Sequence, residues 1–246
     1  MNSLDLGDLD GDISHVVRVI MKFFHFFFRN FATVLVSRPS AGKGDLSEFL
    51  RILGFEVISC SGALTEMVEA NPNDPEMQEV RNRMGLGKLV EERYVLKALR
   101  MKLSLCSGKP LAFDGFPRDD MQVKYLKEIL GEMGFSCFFL ELDCSLEQAN
   151  IRRIQRMHKA YDNGCTPRAD DLIEETWMAR QQDYDLKYPG LKGELLKFAS
   201  YRRIDTTNPS KPENHALALK EIFVFAVLNH LGLSKRQKDF LLKKLV

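Results

Sequence analysis

The sequence predicts an α/β fold in which a parallel sheet is flanked by helices, and two observations carry that reading. Residues 31–45, F-A-T-V-L-V-S-R-P-S-A-G-K-G-D, pass from an apolar, β-branched strand into a loop of small residues and then into a helical pattern. Further on, short strand-like runs at 55–59, 110–113, 137–142 and 202–205 alternate with helical stretches, the order that joins parallel strands by crossover helices.

The elements follow in order. Residues 1–12 are acidic and glycine-punctuated, the composition of a disordered leader. Residues 15–30, H-V-V-R-V-I-M-K-F-F-H-F-F-F-R-N, are basic and aromatic, and read either as a helix packed on the core or as one laid on a membrane or partner surface. A helix is expected at 46–53, stopped by Gly54. The charged, mostly helical segment 61–90, broken by the turn N-P-N-D-P at 71–75, has the look of an insert. Helices are expected at 91–105, 121–133 and 146–158, then a turn at Asn163, Gly164 and Pro167, a long helix at 170–187 and a closing one at 213–229. The tail from residue 234 has a basic and an apolar face, as a helix docked on the body or a binding arm would.

A chain of 246 residues with 45% hydrophobic and 28% charged residues has enough apolar material for one substantial core. Its net charge of +1 gives no whole-molecule field to attract nucleic acid, so anion binding must come from local clusters. The five cysteines show no metal-ligand spacing and read as reduced thiols of a cytoplasmic protein. No run reaches the roughly 20 apolar residues of a membrane span, and Asp5, Asp8, Asp10 and Asp12 stand where a signal peptide would be basic.

The chemistry starts at the central loop. Small residues Pro39, Ser40, Ala41, Gly42 and Gly44 let backbone N–H groups close around phosphate oxygens, the helix N-terminus adds favourable partial charge, and Lys43 supplies a cation. A second motif, L-A-F-D-G-F-P-R at 111–118, is a strand whose carboxyl end delivers Asp114 and then Arg118, where ligands bind in open parallel sheets. Asp114 suits Mg²⁺ held through water. Arg152 and Arg156 lie four apart on one predicted helix and share a face, and Arg168 and Arg180 follow.

These motifs, with M-G-L-G-K-L-V at 84–90, R-A-D-D at 168–171 and I-D-T-T-N-P at 204–209, occur in an order that resembles the adenylate kinases and, more widely, the nucleoside monophosphate (NMP) kinases. The resemblance covers about residues 31–228 and implies a P-loop NTPase-type sheet. It divides the chain into an N-terminal extension (1–30), a kinase domain (31–230) with an NMP-binding helical insert at about 61–90 and a short lid at about 157–167, and a basic amphipathic tail (231–246). The lid holds only Cys165, so it lacks the four-cysteine zinc pattern of some long lids.

The resemblance further implies that Lys43 bridges the β- and γ-phosphates of ATP, that Arg118 holds the NMP phosphate beside Gly115, and that Arg152, Arg156, Arg168 and Arg180 surround the transferring phosphoryl group. Met84, Lys88 and Val90 would line the acceptor base and Gln122 would hydrogen-bond it, as in adenine-selective members. Asn208 and Pro209 would border the donor adenine. The substrates implied are Mg-ATP and AMP, in nucleotide biosynthesis, for a monomer.

Four positions depart from the family pattern. Ser37 and Ser40 replace glycines, and strain follows wherever φ is positive. Asp45 replaces a hydroxyl residue and would either ligate Mg²⁺ directly or repel the phosphates. In the insert, Ser61 and Gly62 keep the hydroxyl and the turn, but Glu66 falls where an arginine grips the NMP phosphate, so Glu66→Arg is expected to tighten AMP binding. Two readings stay open: an active adenylate kinase or related UMP/CMP-type kinase, and a nucleotide-binding protein of weak or absent transfer activity serving as a sensor or partner-binding module.

Overall fold

The computed structural model describes residues 26–85, 90–106, 108–208 and 210–244. Within these, five strands form one parallel sheet: β1 (Phe31–Ser37), β2 (Glu56–Ile58), β3 (Leu111–Asp114), β4 (Ser136–Asp143) and β5 (Ser200–Asp205), in the order β2-β3-β1-β4-β5. The expected α/β arrangement is present, with β1 at the centre.

Alternation along the strands divides the core. Ala32, Val34 and Val36 of β1 join Phe113 and Phe139 on one face, while Phe31 and Leu35 join Ala112, Phe138 and Leu140 on the other. The first face is covered by α2 (Cys60–Ala70), α4 (Glu92–Ser104), α5 (Asp120–Glu132) and α8 (Glu174–Leu195); α3 (Pro75–Gly85) also packs there through Met77 and Val80. The second is covered by α1 (Lys43–Ile52), α9 (Lys211–His230) and α10 (Lys235–Lys244). Burying one such Phe or Leu side chain contributes about 1.5–3 kcal/mol.

The tail is docked: Leu242 is buried and its carbonyl accepts from Arg202. At the other end, Phe28 is fully buried, with its ring 5.4 Å from Phe31 and 5.3 Å from Phe55, and Phe27 packs edge-on against His230. Phe27 and Phe28 of the Phe-rich segment therefore pack with the core, while Phe26 is exposed. The acidic leader and the rest of that segment, residues 1–25, lie outside the described residues.

Two helices outrun their sequence boundaries. α6 (Leu146–Asp162) continues four residues beyond the expected end at His158, through much of the expected lid, and stops where Gly164 takes φ +67. α8 runs through Pro189 to Leu195 instead of ending near Lys187. An internal proline costs a helix roughly 3 kcal/mol, and what lies beyond it offsets this: Leu191 and Leu195 are buried, and Lys192 Nζ donates to Glu141 Oε2 at 3.0 Å and to the Tyr201 hydroxyl at 2.7 Å. Glu141 is a carboxylate on an inner strand, only 5% exposed. Burial opposes its ionisation, yet Tyr188, Tyr201 and Lys192 outweigh burial and hold its carboxyl below the usual range. Among the described residues no helix is long and apolar enough to cross a membrane, and all five cysteines are free.

Candidate active site

β1 ends at Ser37, and the chain turns through Arg38 to Gly42 before α1 begins at Lys43. The turn closes with Ala41 N–H donating to Arg38 C=O at 3.2 Å. Gly42 caps α1 at φ +99, a conformation for which glycine is suited, and Ser40 adopts φ +69 without that freedom, at roughly 1–2 kcal/mol. Ser37 is not among the positive-φ residues, so the strain expected there falls on Ser40 alone.

The neighbouring strand β3 delivers Asp114 beside this loop, because Leu35 pairs with Asp114 in register. Lys43 Nζ lies 3.2 Å from Asp114 Oδ1, and Ser47 Oγ donates to Asp114 Oδ2 at 3.0 Å. Gly115 follows at φ +71; a Cβ there would stand 3.2 Å from Arg118 Nη2 and 3.5 Å from Lys43 Nζ, so the two cations share the space over a bare backbone. Burial pushes the Lys43 pKa down and Asp114 opposes this, while Arg118 and Arg180 push it further the same way. Several positive charges thus face one carboxylate around Lys43. Such a site is built to take up a more strongly charged anion.

Arg118 is set in place by its own turn: its Nε donates to Gly115 C=O at 2.7 Å and its N–H to Gln122 Oε1 at 2.9 Å. Gln122, the expected base reader, therefore spends its oxygen on this turn and keeps its Nε2 to donate.

The remaining arginines separate. Arg156 donates to both carboxylate oxygens of Asp171, with Nε at 2.8 Å, and its Nη2 lies 3.4 Å from Ser40 Oγ on the loop. The Asp171 hydrogen bonds raise the Arg156 pKa. Arg180 is paired with Asp170. Arg152, expected at the phosphoryl group, instead donates to the carbonyls of Ala41, Thr206 and Asn208, and so lines a cavity of about 30 Å³ beside the loop. Helix geometry accounts for the split: four residues on one face span a full turn, which carries Arg156 over Ser40 and leaves Arg152 over Thr206. Arg168 is exposed.

In the expected insert, the start of α2 decides which way each residue faces. α2 is capped by Ser59, whose Oγ accepts from Gly62 N–H at 3.1 Å, so the helix starts at Cys60. Gly62 serves that cap, since a Cβ would meet Ser59 Oγ at 3.0 Å, and Ser61 is exposed. Ala63, Leu64, Met67 and Val68 form the buried face, and Cys60 continues it one turn earlier. Glu66 lies off that face and pairs with Lys102 at 2.8 Å, which also holds Glu56 at 2.9 Å. Glu66 is therefore engaged in this cluster. Burial raises the Cys60 thiol pKa, with the Arg118 and Lys43 charges acting against it. Met84 and Val90 pack half-buried against the core, whereas Lys88 and Pro209 lie outside the described residues.

Asp45, offered above as a possible Mg²⁺ ligand, pairs with Lys211 at 2.8 Å. Asp114 and Ser47 together present hard oxygen donors of the kind Mg²⁺ uses with phosphates and water. Among the described residues, no group of three or more His, Cys, Asp or Glu side chains gathers to hold a metal.

Several residues that sequence reasoning passed over shape the site. Asp170 and Asp171, in the short helix α7 (Ala169–Leu172), hold two of the arginines. Arg38 reaches Gln181 Oε1 and Asp185 Oδ1, each at 3.1 Å, and Gln181 Nε2 donates back to Pro39 C=O at 3.2 Å. The signal for the aspartates was their position inside R-A-D-D, flanked by the arginines they bind; the Arg38 contacts span more than 140 residues and left no local signal.

Residues 37–173 match the family model described as an AAA domain. The chain is 31% identical over 175 residues to the adenylate kinase of Thermus thermophilus, a match covering 71% of this chain and 88% of that one. It is also 31% identical over 157 residues to the adenylate kinase of Deinococcus deserti, covering 63% and 78%, and 31% over 135 residues to that of Synechococcus, covering 53% and 70%.

Proposed function

Because the chain belongs to the adenylate kinase family, and is a nucleoside monophosphate kinase and phosphotransferase by that membership, we propose that it carries the γ-phosphoryl group of Mg-ATP to AMP, giving two ADP. The observation that carries this reading is the gathering of Lys43 and Arg118 beside Asp114 and Gly115 at the carboxyl ends of β1 and β3, with the Arg180 charge also acting on Lys43. Phosphoryl transfer passes through a loose transition state in which positioning and cationic stabilisation do nearly all the work, and the cations gathered here meet that need.

In this reading Lys43 takes the donor's β- and γ-phosphates, Arg118 the acceptor phosphate, and Arg156 and Arg180 the group in transit. Mg²⁺, when bound with ATP, supplies charge neutralisation between the phosphates, and Asp114 with Ser47 would hold it. Arg152 belongs to the donor nucleoside with Asn208. Gln122, left with its Nε2 donor, offers a hydrogen bond to a ring nitrogen of the acceptor base, which supports AMP.

One observation favours the second reading, a nucleotide-binding protein of weak transfer activity: the described part of α2 brings no arginine to the acceptor phosphate, and Glu66 is held by Lys102. ADP formation from Mg-ATP plus AMP, beside ATP alone and a series with UMP, CMP and GMP, decides between them. ADP that depends on AMP is the expected result. ATP binding without acceptor-dependent ADP rejects the enzyme reading, and preference for UMP or CMP rejects AMP. We place the reaction in the cytoplasm on the reduced state of the five thiols.

A further inference from the structure

Asp45 lies in the first turn of α1, at the exit of the phosphate loop. Its partner comes from far along the chain: Lys211, the first residue of α9, sets Nζ 2.8 Å from Asp45 Oδ1. With side-chain exposures of 63% and 49%, this pair adds little to the fold, so its place matters more than its strength. Both residues line the small cavity beside Gly42, Arg152 and His215.

The Asp45 charge reaches both sides of the loop. After Asp171 and Asp170, it helps hold Arg156 charged. At His215 burial favours the neutral ring, with Asp45 acting against burial and Lys211 acting with it. Lys211 is the cation in contact with Asp45, and it arrives on an element outside the phosphate loop.

Resting on the reading that Mg-ATP is the donor, we propose that Lys211 is a donor-site residue whose ammonium cancels the Asp45 charge beside the loop, so that a triphosphate binds next to a carboxylate. Paired, the two groups present a small dipole to the phosphates; either alone presents a full unit charge at close range. The donor site is then complete only with the start of α9 docked against α1.

The test is the affinity for Mg-ATP, by calorimetry at low and high salt, of the full chain and of Lys211→Met, Asp45→Asn and the double variant. Affinity is expected to follow the charge left in place. Lys211→Met binds roughly tenfold more weakly, Asp45→Asn about threefold more tightly, and the double variant within about twofold of the unaltered chain. The Lys211→Met loss shrinks as salt rises, which a purely structural role would not produce. Lys211→Met binding as tightly as the unaltered chain overturns the proposal. So does weaker binding by Asp45→Asn, which makes Asp45 a magnesium ligand, or a double variant as weak as Lys211→Met, which makes Lys211 a direct phosphate ligand. An unaltered chain that binds no Mg-ATP overturns it outright. AMP-dependent ADP formation, measured on the same preparation, tests the transfer reading separately: binding in the expected order without ADP keeps this inference and rejects that reading.

Discussion

Asp171 receives the Arg156 guanidinium on both carboxylate oxygens, and this bidentate contact fixes the arginine over Ser40 of the phosphate loop. Asp171 is 3% exposed, so its removal leaves a partly buried guanidinium uncompensated. Asp171→Asn is expected to lower kcat by roughly 10- to 100-fold with little change in the KM for ATP. Asp171→Ala would further cost about 1–2 kcal/mol of stability. Steady-state kinetics beside urea denaturation separate the two effects; an unchanged kcat in Asp171→Asn removes the positioning role.

Lys43→Ala deletes the cation nearest Asp114. Turnover is expected to fall by roughly 10²- to 10³-fold. Circular dichroism controls for the fold, and a Lys43→Ala protein with full turnover would discard the phosphate-loop assignment.

Glu66→Arg, read from sequence, is expected to tighten AMP binding; the helix phase reverses that expectation. Because Glu66 faces Lys102, an arginine there meets a like charge, and the KM for AMP is expected to stay within about twofold while stability drops by about 0.5–1 kcal/mol. A large gain in AMP affinity would show that α2 turns its other face to the acceptor.

The Glu141 cluster makes stability depend on pH. Its carboxyl pKa is lowered in the folded chain from the ordinary value of 4.5, so the unfolded chain binds the proton first on acidification. The contribution is therefore present above about pH 4.5 and is lost as pH falls through the lower folded value. Urea denaturation at pH 7 and at pH 3.5 is expected to show a loss that Glu141→Gln reduces. Equal losses in both proteins would exclude the cluster as its source.

Much of this was legible in local sequence. The apolar run of β1 announced a strand, and D-G-F-P-R announced a carboxylate and an arginine at a strand end, because each depends on residues adjacent in the chain. What escaped depends on contacts across the fold. α8 outlasts Pro189 because Leu191, Leu195 and Lys192 find partners on the sheet. Glu66 turns away because Ser59 caps α2 and sets its phase. Lys211 meets Asp45 across 166 positions, a pairing that no window of sequence contains.

The Arg38 and Gln181 hydrogen bonds have a mechanical meaning. They rivet the phosphate loop to α8, the helix that also carries Arg180, so loop, helix and arginine form a single stator.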